Sequence, residues 1–271
     1  MTSFMPTLHP TAVVDPRAEL AQGVEVGPHC VVGPQVRIGR GTRLMGHVTV
    51  LGRVTLGDEN RISPGAVLGG DPQDVSYRGS DTELVIGDRN VIREGVTINR
   101  ATEKEDGLTS VGSDCFIMAG CHIAHDCRVG DRVIMANATL LGGHVHVHDD
   151  ANLSGGVLVN HYSSVGSFSF TGALSRVLHD VPPYMLAEGN PSRPRCINIV
   201  ALKRNNFSPE SITALSEAHR LLFRNKMGLD NARELLRASD MLLPAVNHLL
   251  GFLQYQHEGR HGRGRDRRRA A

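Results

Sequence analysis

Residues 111–152 read VGSDCF IMAGCH IAHDCR VGDRVI MANATL LGGHVH VHDDAN when cut every six positions. Each hexad opens on Val, Ile, Met or Leu, and its fifth position is Cys, Val, Thr or Ala. A period of six matches neither the 3.6 of a helix nor the two of a strand. It matches short strands joined by tight turns, three to a coil, with one aliphatic and one small side chain turned inward per hexad. The frame extends well beyond this stretch. Steps of six from Leu8 to Leu68, then Ile86, Ile92 and Ile98, then a frame shifted by one from Val111 to Val177, meet 26 positions. Only Thr171 among them is neither aliphatic nor Met, so chance is excluded. Cys30, Thr42, Ala66, Cys115, Cys121, Cys127, Thr139, Ala151 and Ser163 fill the small position.

The expected fold is therefore mostly β, a parallel β-helix over residues 1–190. About nine coils spaced ~4.8 Å apart would build it. Two polar excursions break the frame, near 71–85 (DPQDVSYRGSDTELV) and 100–110 (RATEKEDGLTS). Excursions from a rigid solenoid are where binding concentrates. DVPPY at 180–184 stops the repeat, because proline cannot donate to a ladder, and EGNPSRPR reads as a turn-rich link. Ser208-Pro209-Glu210 then opens a helix, with Ile212, Leu215, His219, Leu222 and Phe223 at helical spacing. Two further helices fit 229–239 and 242–256. Residues 191–257 thus form a C-terminal α-helical cap domain, which covers the open end of the solenoid. The tail 258–271, EGRHGRGRDRRRAA, has the composition of a disordered basic segment.

Net charge is +1 over 271 residues, split into +6 from Val200 onward and −5 before it. The balance does not mark a nucleic-acid binder, but the basic C-terminal part suits an acidic partner. No apolar run of 18 residues occurs, so no membrane insertion is expected, and no signal peptide is visible. Five cysteines then point to free thiols in a reducing cytoplasm. Four of them fall on the small inward position, where Cys packs as a small hydrophobe.

With 18 residues per coil, His125, Gly143 and His161 stack in one column. His144 stands beside Gly143, Asp126 follows His125, and His122 precedes it by three. None takes an inward position, so all should line the outer wall. A histidine takes a proton from a hydroxyl near neutral pH. Asp126 would hold its tautomer, and the Gly143 N–H would bind a developing oxyanion. No nucleophilic Ser or Cys lies in the column, which favours direct group transfer. Zinc is the rival, since repeat proteins resembling γ-class carbonic anhydrases hold it through histidines. Zinc hydration needs three convergent nitrogen ligands, yet Gly143 stacks on His125, and His146 and His148 read as exposed decoration. No metal is expected.

GDPQDVSYRG (70–79), IAHDC (123–127), GGHV (142–145), DVPPY (180–184) and NIVALKR (198–204) together resemble the UDP-N-acetylglucosamine O-acyltransferases of lipid A synthesis. The likeness runs to about residue 255. It implies a left-handed coil, an exception to the usual crossover hand, and a cytoplasmic homotrimer with active sites between subunits. It implies transfer of a 3-hydroxyacyl chain from the thioester of acyl carrier protein to the 3-hydroxyl of UDP-N-acetylglucosamine, with no bound cofactor. His125 would be the base, Asp126 its orienting partner and Gly143 the oxyanion donor. Gln73, Asp74, His122, His144, His161, Asn198 and Arg204 would touch substrate, and Ala173 would end the acyl groove. The basic cap would receive the acidic carrier protein. Where relatives commonly carry lysine, histidine, histidine-glutamine, glutamate and glycine, this sequence has Ser76, Asn99, Asn160-His161, Val200 and Ala173. An amino-sugar acceptor giving an amide, or a non-catalytic nucleotide-sugar-binding trimer, are the alternatives.

Overall fold

The computed structural model describes residues 5–260 and 262–265; the disorder expected at 261 and 266–271 lies outside the described residues. The hexads become two- to four-residue strands, and three strands make a coil of a left-handed parallel β-helix. Its three faces are flat parallel sheets. The first face runs from Thr7–Leu8 to the Met185–Gly189 strand, the second from Val13–Val14 to Arg176–Val177, and the third from Glu19–Leu20 to Ser164–Val165.

The register explains the frame shift in the sequence. Partners on adjacent coils are normally 18 residues apart, as in Phe116 with Ile134. Across the first excursion they are 30 apart, as in Arg61 with Val91. Across the second they are 25 apart, as in Val91 with Phe116. The first insertion is thus a multiple of six and keeps the phase, whereas the second is not and moves it by one.

Inside, Leu44, Leu56, Ile62, Ile92, Ile117, Ile123, Met135 and Leu141 stack fully buried. The small inward position also accepts amides. Asn60 and Asn90 are fully buried there, and Asn60 Oδ1 accepts the Asn90 N–H, while each side-chain amide donates to a backbone carbonyl. A buried polar group tolerates such a site only when bonded in this way. Cys30, Cys115, Cys121 and Cys127 are free and buried, and burial pushes the Cys115 thiol to about 11 and Cys127 to about 12.

The end of the solenoid differs from the expected link. Met185–Gly189 pairs with Phe170–Thr171 and then turns into an antiparallel strand, Ser192–Ile197. Pro182 and Pro183 lie at a corner, outside the ladder, and Pro194 sits at a register shift on the outermost strand, so neither blocks pairing. The cap follows as α1 (Ile199–Arg204), α2 (Pro209–His219), α3 (Leu229–Ala238) and α4 (Pro244–His257). Ser208 caps α2 by accepting the Ser211 N–H, with Pro209 at the first helical position. Leu202, Leu215, Leu236, Val246 and Leu249 pack with Tyr184, Met185 and Ile197 of the last coil. The Tyr184 hydroxyl and His248 Nδ1 lie 2.6 Å apart, which ties α4 to the solenoid.

The tail expectation needs correcting at one point. Residues 262–265 form a 3-10 turn against the third face, where Gly262 N donates to Ser164 Oγ. Arg265 Nη2 donates to the carbonyls of His144 and Tyr162 at 2.5 and 3.2 Å, and its Nη1 lies 2.9 Å from His146 Nε2. Composition signals solvation, but it carries no information about a single buried guanidinium that finds carbonyl acceptors.

Candidate active site

The corner between the second and third faces carries the histidine column. Asp126, His144 and Tyr162 occupy equivalent turn positions with φ of 60°, 63° and 63°. His144 N donates to His125 O and Tyr162 N to Gly143 O, both at 3.0 Å, so successive corners are locked in register. A cavity of about 280 Å³ opens here, lined by His125, Gly143, His144, His161, Tyr162, Asp74 and Lys104.

His125 Nδ1 lies 2.8 Å from Asp126 Oδ2. An ionised carboxylate only accepts, so Nδ1 carries the proton and Nε2 keeps its lone pair. Asp126 was expected on the outer wall, but it is fully buried. The second excursion folds over it, with Thr102 donating to the carboxylate through both N and Oγ1. Thr109 Oγ1 accepts the Asp126 N–H from the other side. The two Thr102 donors offset the desolvation of the carboxylate.

Gly143 is fixed by a close approach. A Cβ there would stand 2.5 Å from His125 Cε1 and 2.7 Å from Nε2. The ring's open edge therefore lies over the glycine. Among the described residues the Gly143 N–H has no hydrogen-bond partner.

His144 is also buried rather than on the outer wall. It stacks on Tyr162 at 4.3 Å and meets His125 edge-on at 5.2 Å. Glu105 Oε1 lies 3.3 Å from its Nδ1 and 3.6 Å from Arg265 Nη1. His146 and His148 are half-buried, not exposed decoration; burial and the nearby Arg265 push His146 down to about 3.

The other expected residues divide. Asp74 joins the cavity, its Oδ1 accepting from Ser76 N and Oγ and its Oδ2 from Lys104. The Lys104 ammonium, then Ser76, hold it well below the ordinary carboxylate range. His161 lines the cavity. Gln73 is exposed at the start of the first excursion and does not line it. His122 faces outward on the second face, with Nδ1 2.7 Å from Thr97 Oγ1, and burial lowers its pKa. Asn198 caps α1 and Arg204 ends it, away from this chain's cavity; Asn198 accepts from Ala201 N and donates to Phe168 O. Ala173 is exposed at the opposite corner, between the first and second faces. Thr102, Lys104, Tyr162 and Arg265 were missed. Three of them lie outside the repeat, where no register announces a contact; Tyr162 could have been found as the coil neighbour of His144.

His125, Asp126 and His144 present ligand atoms within 4.8 Å of one another. The donor set fits a metal poorly. Asp126 Oδ2 already takes the Thr102 hydroxyl and the His125 Nδ1–H, so a cation would have to displace both.

Known proteins resemble this chain in sequence and in fold. Residues 180–264 match the family model described as UDP-N-acetylglucosamine O-acyltransferase, domain 2, and residues 109–143 match bacterial transferase hexapeptide repeats. The acyl-[acyl-carrier-protein]–UDP-N-acetylglucosamine O-acyltransferase of Albidiferax ferrireducens is 46% identical over 92% of this chain and 96% of its own length. That of Alkalilimnicola ehrlichii is 48% identical over 94% and 99%. Among solved structures, the UDP-N-acetylglucosamine acyltransferase of Francisella novicida superposes with a TM-score of 0.86 at 37% identity, covering 90% of both chains. The Bacteroides fragilis enzyme gives 0.88 at 33%, covering 92% and 97%.

Gly143→Ala tests the close approach directly. The His125 ring should retreat by roughly 1 Å to regain van der Waals distance, lengthening its contact with Asp126. A crystal structure of the variant with the ring unmoved would refute this account of the glycine.

Proposed function

The chain belongs to the UDP-N-acetylglucosamine O-acyltransferases, and on that premise we propose the roles of its residues and its assembly. It moves a 3-hydroxyacyl chain from acyl carrier protein to the 3-position of UDP-N-acetylglucosamine, the first step of lipid A biosynthesis. The relatives are O-acyltransferases, which favours an oxygen acceptor over the amino-sugar alternative.

The observation that carries the mechanism is the arrangement of His125 between Asp126 and Gly143. His125 Nε2 takes the proton from the sugar 3-hydroxyl as its oxygen attacks the thioester carbonyl. Asp126 holds the Nδ1–H tautomer and stabilises the imidazolium. The tetrahedral oxyanion accepts the Gly143 N–H. Collapse breaks the C–S bond, and the departing thiolate takes the proton back from His125. His144 and His161 hold the acceptor in the cavity, and Asp74 shapes its edge through Ser76 and Lys104. The buried Cys127 beside Asp126, with its thiol pushed up to about 12, does not suit an acyl-enzyme.

The proposed homotrimer is supported by the faces. The third face is polar, whereas the second exposes Val13, Val31, Leu140 and Leu158 in its outward rows. An apolar sheet face of this kind needs cover. In α1, Ile199 and Val200 are likewise exposed. A neighbouring chain laid on the second face would bring its own Asn198, Arg204 and Gln73 to the cleft between subunits. The basic cap would meet the carrier protein there. No described helix is long and apolar enough to cross a membrane, and a cytoplasmic setting follows from the supply of acyl carrier protein.

For the acyl chain, Leu140 and Leu158 form an apolar floor between the His125 corner and the Ala173 corner. Ala173 and the 81% exposed Leu174 stand at its far edge. Ala173 as the end of the groove gives a graded ruler, since one methylene of misfit is worth about 1–3 kcal/mol.

His125→Ala should lower turnover by about 10²–10⁴-fold, as expected for loss of a general base, with assembly intact. Activity within a few-fold of wild type would remove the mechanism, and loss on exhaustive EDTA treatment with recovery on zinc would restore the metal alternative. Light scattering should report three chains of 29.3 kDa per particle; a fully active monomer would contradict the cleft between subunits. With a panel of hydroxyacyl carrier proteins, Ala173→Gly should lengthen the preferred chain and Ala173→Met shorten it, leaving sugar specificity unchanged. An identical length profile in both variants would place the ruler elsewhere.

A further inference from the structure

We propose that Lys104 is an acceptor-binding residue, whose ammonium, steered by Asp74, donates hydrogen bonds to an oxygen of the nucleotide sugar. This rests on UDP-N-acetylglucosamine being the acceptor. Lys104 belongs to the second excursion and Asp74 to the first, so no coil register holds them together. Their ion pair closes one side of the cavity that His125 and Gly143 also line. The two side chains are only 22% and 13% exposed. A partly buried pair gives up hydration on both partners, and an apolar clasp would join two loops at lower cost. Its place beside the base therefore calls for a chemical use.

The donor and acceptor inventory supplies one. Asp74 Oδ1 already accepts Ser76 N–H and Oγ–H at 2.8 and 2.7 Å, and Oδ2 accepts Lys104. A carboxylate has about four lone-pair sites, so Asp74 is nearly saturated within the chain. An ammonium has three donors, and among the described residues the Lys104 ammonium bonds only to Asp74. The pair thus turns an accepting corner of the cavity into a donating one. Among the described residues that line the cavity, Lys104 is the only lysine or arginine. The hydrocarbon part of the acyl donor offers nothing to such a group. The nucleotide sugar offers hydroxyls, an acetamido carbonyl and a diphosphate, all of which accept.

The test uses the full-length enzyme, steady-state kinetics with both substrates varied, and calorimetric binding of UDP-N-acetylglucosamine without donor. Lys104→Gln should raise KM and Kd for the sugar nucleotide by about tenfold or more, the scale of a lost charged hydrogen bond. KM for the acyl carrier protein should stay within about twofold, and Lys104→Arg should recover most of the loss. Titration with UDP alone distinguishes the two oxygen sources: weakened UDP binding assigns the diphosphate, and a loss confined to the full sugar nucleotide assigns the sugar. In an Asp74→Asn background, Lys104→Gln should still weaken acceptor binding. No further loss in that background would mean that Lys104 only neutralises Asp74, and would overturn the proposal. An unchanged Kd in Lys104→Gln, or a shift confined to the acyl carrier protein, would overturn it as well. A wild-type enzyme that does not acylate UDP-N-acetylglucosamine would instead remove the functional premise, before any variant is compared.

Discussion

The parallel hydrogen-bond ladder between coils sets almost every distance that matters here. It places residue n directly beneath residue n + 18 across most of the solenoid, as the pairing of His122 with Leu140 and of Leu140 with Leu158 shows. His125, Gly143 and His161 come from three coils, yet they act as one wall because the carbonyls of 125 and 143 are tied to the amides of 144 and 162. The rigidity is a property of the backbone. It needs no particular side chain at the site, which leaves the corner free to carry chemistry. The inward stack, with Ile117, Ile123, Met135 and Leu141 fully buried, supplies the apolar burial that keeps the ladder closed.

What the ladder cannot supply is shielding, and the excursions add it. A corner carboxylate on a bare solenoid would be wet, and its hold on a neighbouring imidazole weakened by solvent. The strand-to-strand return that carries Thr102 crosses above Asp126 and delivers an amide and a hydroxyl to it. From the other direction Arg265 reaches the carbonyls behind His144. The site is thus a rigid column clasped by two segments that lack the repeat.

This division also decides what could be read from residues alone. Periodicity exposed the coil, its inward positions and the 125–143–161 column, because each is a statement about spacing. Burial at Asp126 and His144 was invisible, since it depends on Thr102, Glu105 and Arg265, whose positions follow no period. The one-residue frame shift between Ile98 and Val111 was legible, and its cause is the remainder of a loop length on division by six. Asn198 was marked for substrate, yet within its own chain it works as a helix cap. DVPPY was read as the end of the repeat and EGNPSRPR as a turn-rich link, yet their four prolines lie at corners, at the tip or on the outer strand of a paired hairpin.

The same register limits how such a chain can change length over generations. Remove one residue between 127 and 142, and every later corner slides forward by one. The residue facing the His125 ring would then be His144 rather than Gly143, with its Cβ where the structure leaves only 2.5 Å. The loops 71–82 and 100–107 escape this rule, because they leave the ladder and rejoin it in register at 83–86 and 108–111. Heritable gains and losses should therefore accumulate in those loops or arrive as whole coils. Point substitution alone is left to reshape the wall in between.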